Sequence, residues 1–210
     1  MVARDRRPPL AQLLESARRR GMLGPGPVEA HLEHAESMAA AIEPGFEGRF
    51  LDLGSGSGVP GLILLEAWPA ATGVLLEARR RRCAFLEDAL RDLEFGERGA
   101  VVCGRAEELA RDADLRGTFD LVVARGFGAP ATTAECAVGF LASDGRLAVS
   151  EPPGPADPER WPAQELAEVG FRAPDLRKGD GSGVAILHVT GPTSDRWPRR
   201  VGVPARRPLW

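Results

Sequence analysis

The chain has no asparagine and no tyrosine, and Lys178 is the single lysine among its 27 basic residues, a composition bias in which arginine replaces lysine throughout. The three cysteines, Cys83, Cys103 and Cys136, show no C-x-x-C or zinc-ligand spacing, which argues against a zinc site and leaves buried thiols as the expectation. Of three histidines, His31 and His34 are spaced to share a helix face, but no third ligand accompanies them. They read as solvated or packing residues, and no metal is expected. No apolar run is long enough to span a membrane. Met1 to Pro9 is charged and proline-containing and leads into no such run, so a secretory leader is not expected and a cytoplasmic protein is. The net charge of −3 does not announce a nucleic-acid binder. The arginines nevertheless gather at residues 4–7, 18–20, 79–82 and 196–207, and each cluster taken singly reads as a solvated face.

At 210 residues and 43% hydrophobic, the chain fits one domain with a small appendage. It is organised around Arg49 to Gly61. Phe50 to Leu53 has the length of a buried strand, and glycines at 54, 56 and 58 force a sharp turn before Pro60, whose fixed φ suits a first helical turn. Strand, glycine loop and helix in that order form the nucleotide-binding corner of a doubly wound α/β sheet. A P-loop needs Lys-Ser or Lys-Thr after the last glycine, and neither is present. A dinucleotide fingerprint can be matched through Gly56, Gly58 and Gly61, and a tight turn that binds nothing is the plain alternative. Asp52 in front of the glycines makes Asp-x-Gly-x-Gly-x-Gly, which is similar to the pattern of class I S-adenosylmethionine (SAM) methyltransferases. The next strand, Val74 to Glu77, ends in a carboxylate at the spacing where an acid accepts hydrogen bonds from both ribose hydroxyls.

Helices are expected over Leu10–Arg20 and from Val28 to Ile42, ahead of the first strand. After the loop come helices over Leu62–Trp68 and Arg79–Leu93, and strands at Ala100–Cys103 and Phe119–Ala124, the latter ending in Arg125. A helix over Thr132–Ala142 and a strand over Arg146–Ser150 follow. After a helix over Ala163–Val169, strands Phe171–Arg177 and Val184–Thr190 flank a glycine turn and must pair antiparallel. The expected fold is α/β: a Rossmann-like, seven-stranded, mostly parallel sheet ending in an antiparallel hairpin. Residues 1–45 form a helical extension, 46–192 the SAM-binding domain and 193–210 a basic tail.

The segments "DLGSGSGVPG", "LLEARRRRCAFLEDAL", "GRAEE", "FDLVVARGF" and "WPRRVGVPARRPL" resemble the RsmG (GidB) family, which methylates N7 of a guanine in small-subunit ribosomal RNA. The resemblance implies SAM as cofactor, bound by Gly54 and Val59 of the loop, by Ala106 and Glu107, and by Arg125, beside Asp52, Gly56, Gly58 and Glu77, which the loop pattern and strand spacing already point to. It implies Arg105 and Arg125 as catalytic residues. His34, Arg199, Arg200, Arg206 and Arg207 would bind the substrate, ribosomal RNA or the small subunit, and a monomer is expected. The family's Arg-His pair before the first strand is matched by Glu33-His34, without the arginine. Where the family's fifth strand ends in Lys-Gly, this chain has Glu151-Pro152.

Guanine N7 carries no hydrogen, so its methylation needs positioning and no general base. The exocyclic-amine signature Asn/Asp-Pro-Pro-aromatic is replaced after the fourth strand by Ala124-Arg125-Gly126-Phe127. Methylation at pyrimidine carbon 5 needs a nucleophilic cysteine, and none of the three is placed for it. A relative that methylates a small molecule or another RNA is the alternative, favoured by Glu33, Glu36 and Glu151. A non-catalytic module is disfavoured by the complete loop from Asp52 to Gly58.

Overall fold

Two amphipathic helices lead the chain, which a computed structural model describes over residues 7–154, 157–178 and 183–210. Helix α1 (Arg7–Arg19) buries Leu10, Leu14 and Ala17, and α2 (Val28–Ile42) buries Val28, His31, Ala35, Met38, Ala39 and Ile42. Both stripes follow the three-to-four-residue period that sets one face of a helix against a core.

Strands and helices then alternate: β1 (Arg49–Leu53), α3 (Gly61–Ala67), β2 (Thr72–Glu77), α4 (Arg80–Asp92), β3 (Gly99–Cys103), α5 (Ala106–Leu109), β4 (Phe119–Ala124), α6 (Pro130–Val138) and β5 (Leu141–Glu151). The chain closes with α7 (Ala163–Val169), β6 (Asp175–Lys178), β7 (Gly183–His188) and α8 (Val203–Arg206). The seven strands lie in the order β3-β2-β1-β4-β5-β7-β6, with β7 antiparallel to both neighbours and the remaining pairs parallel. This is the mostly parallel sheet with an antiparallel end that the sequence suggests. The order reverses between β1 and β4, so a crevice opens there at the carboxyl ends of the strands.

Successive strand residues feed opposite faces of the sheet. Phe50, Leu75, Leu121, Val123, Ala148 and Ile186 join α1 to α4 in one core, while Leu51, Leu53, Leu76, Val122, Leu147 and Leu187 join α6, α7 and Trp197 in the other. Because helices cover both faces, the central strands are buried along almost their whole length. No helix among the described residues is long and apolar enough to cross a membrane.

Two expected boundaries move. The helix after β4 stops at Val138, and Leu141 instead pairs with Phe119, so β5 begins five residues before Arg146, across a register shift. Phe140 and Leu141 are a short buried apolar pair of a kind that suits either state, and strand pairing decides between them. The hairpin's first strand begins at Asp175, with Phe171 making only an isolated bridge to Val189. Its turn at 179–182, like the basic residues before Arg7, lies outside the described residues.

The tail departs most from its reading as a basic segment unsuited to a core. Trp197 is 2% exposed, and its indole N–H donates to the Glu168 carbonyl at 3.1 Å. Glu135, in the middle of α6 and 0% exposed, accepts from the Arg199 amide at 2.8 Å and from its guanidinium at 2.8 and 2.5 Å. Arg111 and Arg116 donate to the carbonyls of Pro198 and Trp197, at 2.6 and 3.0 Å. Arg199 is therefore not presented to a substrate: it neutralises the one buried carboxylate of α6. Removing one partner of a buried ion pair strands the other charge, so Arg199→Ala is expected to cost about 3–5 kcal/mol of stability. Urea unfolding reads this directly, and an unchanged midpoint would return the tail to the status of a surface appendage.

Candidate active site

The glycine loop is built by the backbone and held by two buried carboxylates. Gly54 and Ser55 both donate to the Leu76 carbonyl at 2.9 Å, and Gly58 donates to the Ser55 carbonyl at 2.7 Å. Gly54, Gly56 and Gly58 have φ of 76°, 59° and 90°, a region that side chains disfavour. At Gly54 a Cβ would also lie 2.6 Å from the Phe127 ring, which packs down on the loop from the far side of the crevice. At Gly56 a Cβ would meet nothing closer than Arg82 at 3.6 Å, so the loop's crest opens on a cradle.

Asp52, 1% exposed, accepts from the Gly61 amide at 3.0 Å and so ties β1 to the start of α3. Glu77, 5% exposed, accepts from the Gly56 amide at 3.0 Å through one oxygen and from the Arg79 amide at 2.8 Å through the other. Arg82 stands 3.7 Å from the same carboxylate. Each oxygen retains a further lone pair for a hydroxyl donor. Beyond β3, Ala106 and Glu107 are buried in α5, and Glu107 accepts from the Gly202 amide at 2.9 Å and from Arg105 at 3.4 Å. The tail thus reaches the site through backbone. Arg105 itself is half exposed, with 52% of its side chain open to solvent.

At the end of β4 the half-buried Arg125 guanidinium meets the Nδ1 of His31 at 2.7 Å. Arginine only donates, so Nδ1 accepts, and the proton of a neutral ring is on Nε2, facing the Gly24 carbonyl at 3.3 Å. Burial, reinforced by the Arg125 charge, holds His31 below the ordinary histidine range, as this tautomer requires. His34 lies one turn on, 2.8 Å from the Ser150 hydroxyl at the end of β5, and is lowered by burial and by Arg125 and His31.

The loop residues with Val59, Glu77, Ala106, Glu107, Arg125 and His34 therefore converge on the carboxyl ends of β1 to β5. His31, which reads as a solvated or packing residue in the sequence, joins them through Arg125. Of the tail arginines, Arg200, Arg206 and Arg207 stay exposed. Glu151 does not reverse the charge at the mouth. Its carboxylate is occupied by the Arg160 guanidinium at 2.9 Å and the Trp161 indole at 3.1 Å.

The cysteines are not three buried thiols. Cys83 and Cys103 form a disulfide, because the first turn of α4 lies beside the end of β3, with the two Cα atoms 5.9 Å apart. Cys136 alone is a buried free thiol, and burial pushes its pKa up.

Burial, with the neighbouring Glu77 charge, raises the Asp52 pKa to about 7, against the opposing pull of Gly61 and Arg125. The folded chain therefore keeps a proton that the unfolded chain loses near pH 4. Its stabilising contribution is full below about pH 4 and is lost as pH rises through about 7, by up to about 1.4 kcal/mol per pH unit. Asp52→Asn is expected to flatten the decline in unfolding free energy between pH 4 and 7. An identical pH profile in the variant would show that Asp52 is already ionised.

The profile of the family described as GidB, rRNA small subunit methyltransferase G, matches residues 27–150. A ribosomal RNA small subunit methyltransferase G of Symbiobacterium thermophilum is 34% identical over 200 residues, covering 87% of this chain and 80% of that one. The protein of the same name from Rubrobacter xylanophilus is 33% identical over 213 residues, covering 95% and 81%. Among solved structures, PigF with SAH superposes with a TM-score of 0.61 at 17% identity, over 77% of this chain and 56% of that one. A putative methyltransferase, yhhF from Escherichia coli, gives 0.53 at 19%, over 80% and 89%. The structures establish the methyltransferase fold, and the sequences carry the assignment further: the chain belongs to the rRNA small subunit methyltransferase G family of SAM-dependent methyltransferases.

Proposed function

We propose that the protein transfers a methyl group from SAM to N7 of a guanine in small-subunit ribosomal RNA. The observation that carries this reading is a cofactor cradle around which, among the described residues, the histidines and cysteines already have partners or lie in the core. Bound SAM supplies an electrophilic methyl group on a sulfonium. Around it the chain's own groups are committed elsewhere: Nδ1 of His31 to Arg125, His34 to Ser150, Cys83 and Cys103 to each other, and Cys136 to the core. Such a site suits a nucleophile that needs no deprotonation, and guanine N7 has an in-plane lone pair and no hydrogen. What remains for the protein is orientation, which for well-placed groups supplies on the order of 7–11 kcal/mol.

The residues fit the cofactor. Gly56 leaves the loop's crest open, and the buried Glu77 has lone pairs to spare for two ribose hydroxyls. Gly54 and Val59 line the loop, Ala106 and Glu107 the adjoining turn, and Arg125 closes the crevice at β4. Arg105 and Arg125 are suited to hold the target nucleotide, with His34 beside them. Exposed arginines, Arg79, Arg80 and Arg81 at the start of α4 and Arg200, Arg206 and Arg207 on the tail, suit a phosphate backbone. The small-molecule alternative loses Glu151 to its partners and keeps Glu33 and Glu36.

Gly56→Val should abolish SAM binding in calorimetry, since a β-branched side chain is disfavoured at that φ and fills the cradle. Glu77→Ala should weaken it by about 1.5–3 kcal/mol through loss of charged hydrogen bonds. Unchanged affinity in both folded variants would remove the cofactor site from this loop.

For RNA, replacing Arg200, Arg206 and Arg207 together by alanine keeps the buried strut of Arg199 and Trp197. The log–log salt slope of RNA binding should flatten by roughly 2–3 units, at about 0.7–0.9 per phosphate contact. An unchanged slope with equal affinity would favour the small-molecule reading.

A further inference from the structure

The disulfide stands at the cofactor site rather than in a remote part of the fold. Cys83 occupies the first turn of α4, directly after Arg79 to Arg82, and Cys103 is the last residue of β3. The end of β2 lies beside the bridge: Glu77 is the register partner of Cys103, and its carbonyl accepts from the Gly104 amide at 3.0 Å. The bridge therefore straps the start of α4 to the end of β3 next to the residue that holds the glycine loop. Ala106 and Glu107 begin three residues beyond Cys103.

The two cysteines differ in exposure. Cys83 is 3% exposed, whereas Cys103, on the edge strand of the sheet, is open to solvent. We propose that Cys83 and Cys103 form a reversible dithiol–disulfide site whose state sets how tightly the pocket holds its cofactor, a proposal that rests on the SAM-binding reading of the site. A small-molecule thiol is the co-reactant. Its thiolate attacks Sγ of Cys103, forming a mixed disulfide and expelling the Cys83 thiolate, which takes up a proton. A second thiol then attacks the mixed disulfide, releasing the oxidised small-molecule disulfide and the Cys103 thiol. Two electrons pass from the two thiols to the protein bridge. Cys83 is the leaving group because attack falls on Cys103, the exposed residue of the pair.

The consequence falls on the pocket. With the strap closed, Glu77, the start of α4 and the turn at 104–107 are held in the geometry that meets the cofactor. With it open, the first turn of α4 and the end of β3 gain freedom that binding must remove again, which weakens affinity without changing a single cofactor contact.

The test uses the full-length protein in two measurements. In buffers of graded reduced to oxidised glutathione, quenched by alkylation and weighed peptide by peptide, the pair should pass from disulfide to dithiol within the range. A pair that stays wholly in one form throughout overturns the proposal. Calorimetry with SAM should give a several-fold higher Kd for the dithiol form, restored on reoxidation, with Cys83→Ser and Cys103→Ser each fixed at the weaker value in either buffer. Equal affinity in both forms also overturns it. Absence of SAM binding in both forms would contradict the cofactor reading instead, while the alkylation titration still decides whether the pair exchanges.

Discussion

A backbone that turns through positive φ at Gly54, Gly56 and Gly58 within five residues forms neither helix nor strand, and its amide donors must find partners outside a regular ladder. Gly58 closes on the Ser55 carbonyl inside the loop, and the other partners come from neighbouring strands. The Leu76 carbonyl takes two of the amides and the Glu77 carboxylate a third, while Asp52 takes the amide of Gly61 where the loop re-enters a helix. The shape of the loop thus depends on β2 standing beside β1 in register, and on β1 lying at the point where strand order reverses. Displacing either strand would lose the loop before it lost the sheet.

The same arrangement concentrates charge in a buried place. Burial first, and then the repulsion of Glu77, raises the Asp52 pKa, and Arg125 across the crevice acts in the opposite sense. Burial weakens the hold of Arg125 on its own proton, though its charge remains, and the neutral ring of His31 receives one of its donors. The site therefore holds a cation beside acids by using a neutral acceptor from α2, which explains why a helix ahead of the sheet belongs to the functional unit. The tail belongs to it as well: Gly202 reaches Glu107, and the pairing of Arg199 with Glu135 fixes the segment that reaches.

Much of this was legible in the chain. The glycine loop, the acids at 52 and 77, β4 and α7 all rest on local pattern, and local pattern decided them. What was not legible rests on contacts between distant residues. Nothing near Trp197 shows that its indole finds the end of α7, and a basic, proline-rich ending resembles a loose terminus. The signal lay elsewhere, in Glu135, an acid inside the otherwise uncharged helix from Pro130 to Val138, whose charge when buried calls for a cation from outside the helix. The disulfide escaped notice because 20 residues separate its cysteines. Only the packing of α4 against the edge strand brings them together. His31 escaped because its partner, Arg125, lies 94 residues away.

The central claim is that the cradle at Gly56 serves methyl transfer to a guanine of small-subunit ribosomal RNA. It is tested most directly by incubating the protein with unmodified small-subunit RNA or particles and methyl-labelled SAM, digesting the RNA to nucleosides and weighing the labelled product. The account predicts label in 7-methylguanosine and its disappearance with Gly56→Val. Label in any other nucleoside, or none from a protein that binds SAM, would contradict it.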